Sequence, residues 1–190
     1  MSAAARIGRL DLESAAQRAD LLAGPVAAAL AAAAARDPSF ADVAVAEIDP
    51  ELADTAAFCA AYDVPLELSA NCVVVAGKRQ GVQRIAACLV LATTRADVNG
   101  VVKRRLDVRK ASFLSMEEAV ERTGMEYGGI TPLGLPDDWP ALVDEAVAAL
   151  PWAIIGSGLR RSKLAIRGSA LARLTRQGSG AVITGLAVPA

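Results

Sequence analysis

Residues 123–136 read Thr-Gly-Met-Glu-Tyr-Gly-Gly-Ile-Thr-Pro-Leu-Gly-Leu-Pro, with four glycines and two prolines in fourteen positions. Glycine admits φ > 0 and lets a ligand come close to the backbone. Proline fixes φ and removes a donor. A loop built from both is stiff and leaves main-chain N–H groups bare. That composition suits a wall that holds a small ligand by backbone contacts, although an ordered surface loop without a ligand fits it too. A second glycine pair, in Gly156-Ser157-Gly158, follows about twenty residues later.

The chain has no histidine. This excludes Ser-His-Asp and Cys-His catalysis, histidine bases and histidine metal ligands. Any reaction must use carboxylates, lysine, hydroxyls, backbone groups or the substrate itself. The three cysteines, Cys59, Cys72 and Cys88, form no CxxC pair. Scattered and odd in number, they point to a reducing, cytoplasmic setting and to buried thiols acting as small hydrophobes. No metal or cofactor is expected.

The order of motifs is specific. Ser69-Ala70-Asn71-Cys72-Val73-Val74-Val75 comes first, then Thr123-Gly124, then Gly128 to Pro132 as Gly-x-x-x-Pro, then Gly156-Ser157-Gly158-Leu159-Arg160. This resembles the YbaK / prolyl-tRNA synthetase-associated editing-domain family, the aminoacyl-tRNA deacylases. The resemblance covers roughly residues 50–187. It implies a trans-editing hydrolase that removes a wrong small amino acid from transfer RNA, typically prolyl-tRNA. A non-catalytic module of the same fold, binding tRNA or a synthetase, is the alternative, and a small-molecule binder is a third reading. The expected partners are the tRNA acceptor end and an aminoacyl-tRNA synthetase.

The resemblance assigns provisional roles. Hydrolysis of an activated ester needs a positioned water and a stabilised oxyanion, and one lost backbone donor typically costs ~2.7–4 kcal/mol of barrier. Gly128 and Gly129, with Asn71, are the expected catalytic positions. Ile130, Thr131, Pro132, Gly156, Ser157, Gly158, Tyr127 and Met125 are expected around the substrate, with Val73 as a further pocket wall. Substrate-assisted chemistry through the terminal ribose hydroxyl, which the family uses, is consistent with a chain without histidine. Editing also has a physical rationale, because a hydrophobic pocket separates substrates differing by one methylene by only ~1–3 kcal/mol.

Two positions depart from the family pattern. Active members carry lysine in a Lys-Thr-Leu-like strand start, where this chain has Asn71-Cys72-Val73. An amide can hydrogen-bond a ligand but supplies no positive charge. Near Gly158, some members carry an Asp where this chain has Lys163, which could restore a charge. Asp144 matches an acidic position of the family, with helix capping as its other reading. Arg95, Asp97 and Asn99 are read first as a capping cluster.

The elements that must position these residues are legible in outline. Residues 41–48 alternate like a strand. Asp49 and Pro50 open a helix, and residues 64–68 read as extended. Apolar runs at 72–76 and 85–91 flank Gly77-Lys78-Arg79-Gln80-Gly81 as a hairpin. Thr94 is expected to cap a helix running to Leu106, and residues 109–113 to form a strand. Ser115 and Glu118 make a capping box for a helix ending at Gly124. Strands are expected at 153–156, 164–166 and 181–187, with a short helix from Ser169 to about Gln177. The pattern fits one α/β domain, a mixed sheet with helices packed on it. The resemblance implies a compact domain whose sheet is largely antiparallel and barrel-like, over residues 41–190, with residues 1–40 an N-terminal extension packing on the core.

Composition sets the remaining bounds. A 190-residue chain is most simply one domain. Hydrophobic residues reach 54% but aromatics only 4%, so the core should be aliphatic. The alanine-rich run at 26–35 is too short for a ~30 Å hydrocarbon core and follows Asp11, Glu13 and Asp20 rather than basic residues, so no membrane partner is expected. It reads as a helix with Pro25 in its first turn. The net charge of −1 conceals an asymmetry. Residues 1–70 hold 4 basic and 11 acidic side chains, residues 71–110 hold 9 and 2, and residues 156–176 hold 6 and none. Solvated faces are one reading. An RNA-facing surface built from Lys103, Arg104, Arg105, Arg160, Arg161 and Lys163 is the other.

Overall fold

The computed structural model describes residues 7–174 and 180–190. Its strands are β1 (Glu13–Ser14), β2 (Ala44–Glu47), β3 (Ala70–Arg79), β4 (Val82–Leu91), β5 (Thr94–Ala96), β6 (Ala111–Phe113), β7 (Ala141–Asp144), β8 (Ala153–Gly156), β9 (Ser162–Ile166), β10 (Ala181–Ile183) and β11 (Ala187–Pro189). Its α-helices are α1 (Gly24–Arg36), α2 (Thr55–Tyr62), α3 (Lys103–Arg105), α4 (Met116–Thr123), α5 (Glu145–Ala148) and α6 (Gly168–Leu174).

The β3–β4 hairpin is the spine. Its ten-residue register runs from Ala70 opposite Leu91 to Arg79 opposite Val82, and the turn is Gln80-Gly81 with φ of 51° and 81°. Both turn residues take φ > 0, as a primed two-residue hairpin turn requires. The hairpin lies in a five-stranded sheet of order β10-β7-β4-β3-β6, in which β7 pairs parallel with both β4 and β10. A four-stranded antiparallel sheet has the order β1-β2-β9-β8, and β5 pairs with β11. The barrel-like sheet expected above is therefore three separate sheets, mixed in direction and not closed. The two larger sheets meet where Ser69 bridges Ile154 in parallel. That junction brings the start of β3, with Asn71, alongside the end of β8, where Gly156 pairs with Lys163 of β9.

The core is aliphatic. Val26, Leu30 and Ala33 form one face of α1 and enter the main cluster with Leu89, Val143, Ile155, Leu164 and Leu171. The segment before α1 is tied to the loop between β8 and β9: Ala23 N–H donates to Ser157 O at 3.2 Å, Ser162 Oγ to Leu21 O at 2.6 Å, and Arg161 to Asp20 O at 2.6 Å.

Several local expectations change. Asp49 caps only the 3-10 turn Pro50–Leu52, and a second aspartate, Asp54, caps α2 by accepting from Ala56 N–H at 3.1 Å. Residues 66–68 form a 3-10 turn after Pro65 instead of an extended piece, with Leu68 N–H donating to Pro65 O. Thr94 belongs to β5 and its hydroxyl bonds back to Leu91 O. Asp97 takes the capping role, accepting from Gly100 and Val101 N–H at 2.9 Å to start a π-helical turn at Val98–Val102. Ser115 caps α4 as expected, but the Glu118 carboxylate pairs with Arg122. Ser169 lies inside α6, and the helix end expected near Gln177 falls outside the described residues. The terminal strand is split into β10 and β11 at Gly185, whose φ is 69°. The strand β7 gave no periodic signal because it is four residues long and buried between two strands.

Candidate active site

A cleft of about 650 Å³ opens between the two larger sheets. Asn71, Cys72, Val73 and Val74 of β3 form one wall. Glu51 in the 3-10 turn before α2, with Asp54 and Thr55 at the start of α2, forms the acidic side. Phe113, Leu114 and Met116 with Tyr127, Gly128 and Ile130 form the opposite side, and Gly156, Arg160 and Lys163 close the end. The volume suits a small ligand, and the lining is apolar with a few convergent polar groups.

Asn71 is held in one orientation. Its Oδ1 accepts from Thr55 Oγ1 at 2.7 Å, which leaves the Nδ2 hydrogens to donate elsewhere. The capped first turn of α2 presents Thr55 and keeps that bond in place.

Lys163 is 7% exposed, so it belongs to the cleft wall and not to an outer RNA-facing surface. Its Nζ donates to Ala53 O at 3.1 Å and stands 5.4 Å from the Phe58 ring centroid. Among the described residues no carboxylate pairs with it. Burial pulls its pKa below the usual lysine range and Arg160 pushes the same way, against Cys59 and Asp54. Burying an ammonium without an anion is costly. Two of its three donors remain for another acceptor.

The two glycine loops are bonded to each other. Gly158 N–H donates to Gly129 O at 2.8 Å, Glu126 N–H to Gly158 O at 2.8 Å, and Gly129 N–H to Glu126 O at 2.9 Å. A Cβ on Gly129 would lie 2.8 Å from the Leu159 backbone, and one on Gly156 would collide with Gly129 O. These glycines serve loop-on-loop contact. Gly128, with φ of 83°, is the exposed glycine that faces the cleft. Among the described residues the N–H groups of Gly128 and Ile130 have no acceptor, whereas that of Gly129 is spent on Glu126.

The other expected positions are distributed unevenly. Ile130 and Val73 line the cleft, and Tyr127 stands at its mouth. Met125 is in the main core, Thr131 and Pro132 are buried behind the loop, and Ser157 is a buried tie whose Oγ lies 2.7 Å from Ser162 Oγ. Arg160 braces the mouth: its N–H donates to Glu126 Oε2 at 2.6 Å and its guanidinium to Tyr127 O and Pro50 O. Arg104, Arg105 and Arg161 are exposed and Lys103 half-buried. Asp144 caps α5 and also accepts from Ala187 N–H at 3.1 Å. Cys72 lines the cleft, but burial pushes its thiol pKa well above the ordinary range, so it stays protonated.

Glu51, Asp54, Thr55, Phe113 and Met116 were not anticipated. The Asp54-Thr55 pair carried a signal, since an aspartate before an apolar helical run is a cap. Phe113 carried none.

Residues 49–174 match the model of the aminoacyl-tRNA editing domain. The chain belongs to that family. Solved structures agree in fold. A candidate trans-editing enzyme for prolyl tRNA synthetase superposes with a TM-score of 0.70 at 21% identity, over 88% of this chain and 97% of its own. A hypothetical protein gives 0.68 at 18%, over 80% and 95%. A scaffold carrying a computationally grafted epitope gives 0.70 at 19%, over 88% and 97%. At these identities the likeness is one of fold. A search of the curated proteins finds no match. In this editing domain, the cleft is the one place among the described residues where Asn71, both glycine loops and a buried lysine converge. No described helix is long and apolar enough to cross a membrane.

Proposed function

We propose that this editing domain hydrolyses the ester of a mischarged aminoacyl-tRNA, with prolyl-tRNA carrying a small wrong amino acid as its substrate. The observation that carries the reading is the meeting of Asn71, Gly128, Ile130 and Lys163 in the lining of one cleft. Water adds to the ester carbonyl, the carbonyl oxygen gains negative charge, and the bond to the ribose oxygen breaks as that oxygen takes a proton. The Gly128 and Ile130 N–H groups and the Lys163 ammonium are the donors for the developing oxyanion, and preorganised donors of this kind are the largest usual source of rate. Asn71 Nδ2 orients the ester or ribose. Glu51 and Asp54 suit the free α-ammonium of the amino acid. In the substrate-assisted scheme that the family resemblance implies, the water's proton goes to the terminal ribose hydroxyl, which is consistent with a chain without histidine.

The test is hydrolysis of tRNA charged with alanine, serine or cysteine. Turnover of at least one of them is expected, and inertness on the whole panel removes the enzyme reading. One observation favours the alternative, a non-catalytic tRNA- or synthetase-binding module: the amide at Asn71 where active members carry lysine. That reading expects normal tRNA affinity without turnover, and activity gained in Asn71→Lys.

A further inference from the structure

Six large apolar side chains stay exposed among the described residues, and three of them stand at the mouth of this one cleft. Phe113 is 63% exposed, Met116 57% and Tyr127 58%. They come from the edge strand β6, the first turn of α4 and the loop after α4. Their backbone is not loose. Leu114 N–H donates to Val74 O at 2.9 Å, Ser115 caps α4, and the Arg160 guanidinium holds Tyr127 O at 3.2 Å. Two flat rings and a thioether thus project into solvent from a pinned frame. Exposing them forgoes hydrophobic burial. Rigid aromatic rings on an open surface are the device by which proteins stack single-stranded bases without reading their sequence.

We propose that Phe113, Met116 and Tyr127 form a stacking platform for the unpaired nucleobases at the 3′ end of the RNA strand. The proposal rests on the reading of the cleft as an aminoacyl-tRNA site, and adds how the strand is held outside it. Charge supports this occupant over a protein. Arg160 lines the same mouth, and the exposed Arg109 and Lys110 immediately precede β6, so cations flank the rings where a phosphodiester backbone would run. The bases stack on the rim while the ester passes into the cleft.

The experiment is equilibrium binding of a labelled, uncharged single-stranded ACCA oligonucleotide at several salt concentrations. Phe113→Ala and Tyr127→Ala are each expected to weaken binding about 5- to 150-fold. The salt slope should stay unchanged, because no phosphate contact is lost. Phe113→Trp and Tyr127→Phe keep a ring and should retain binding. At these exposed positions truncation leaves the fold intact, which circular dichroism checks. Wild-type affinity in both alanine variants overturns the proposal. So does a change of oligomeric state without a change in RNA affinity, which would make the rim a protein contact. Uncharged RNA keeps this test separate from turnover: an inert protein whose binding needs the rings loses the deacylase reading alone. An active protein indifferent to ring loss loses this proposal alone.

Discussion

Thr55 Oγ1 donates a 2.7 Å hydrogen bond to Asn71 Oδ1, joining the capped start of α2 to the first residues of β3. The bond fixes which face of the amide looks into the cleft. Asn71→Ala is expected to slow deacylation about 5- to 150-fold, as for a lost polar anchor worth ~1–3 kcal/mol. Thr55→Val keeps the shape but frees the amide to turn, so it should act mainly on kcat, by about 2- to 10-fold for a bond worth ~0.5–1.5 kcal/mol. Unchanged kinetics in Thr55→Val would show that the orientation of Asn71 is irrelevant.

Lys163 sets stability against activity. Burial depresses its pKa from 10.5, so the unfolded chain binds that proton more readily. The cost is complete below the folded pKa and fades as pH rises toward 10.5. Lys163→Met should therefore melt higher than wild type near neutral pH, by about 2–4 °C for each kcal/mol removed, and the gap should narrow in alkaline buffer. Deacylation should drop in the same variant. Wild-type activity, corrected for spontaneous hydrolysis, should fall as pH rises through the folded pKa of Lys163. A variant that melts lower at every pH contradicts this account.

Gly129 is a packing position. With the Leu159 backbone 2.8 Å from where its Cβ would stand, Gly129→Val must push the two glycine loops apart. The expected loss is ~1–3 kcal/mol, as for other overpacked sites, seen as a lower denaturation midpoint together with lost turnover. Lost activity at unchanged stability would instead assign Gly129 to direct substrate approach.

The basic surface should give a salt signature. Arg104 and Arg105 are exposed on α3, which follows the π-helical turn packed against β6. Reversing both charges should weaken tRNA binding across many tRNAs and flatten the dependence of log K on log salt by about 0.7 per lost contact. An unaltered slope would move the RNA path to another face.

The sequence by itself determined the class of chemistry. Without histidine, and with Cys72 and Cys88 inside apolar strands, only carboxylates, lysine, amides, hydroxyls, backbone groups and the substrate itself remained. It also determined the elements whose signals are local: the hairpin at Gln80-Gly81, the cap at Ser115, the stop at Gly124 and the alanine-rich helix α1 with Pro25 in its first turn. Tertiary structure decided the rest. The Ser69–Ile154 bridge that sets Asn71 beside Gly156 spans 85 positions, and no periodicity encodes it. Burial divided the basic run at 160–163, leaving Arg161 outside and Lys163 in the cleft wall, because Arg161 lies in the turn before β9 whereas Lys163 lies inside β9, which sheet packing covers on both faces. The same holds for the glycines. Their composition announced close backbone approach, but the partner of Gly129 is Leu159, brought there by the fold, while Gly128 alone of the pair faces the cleft.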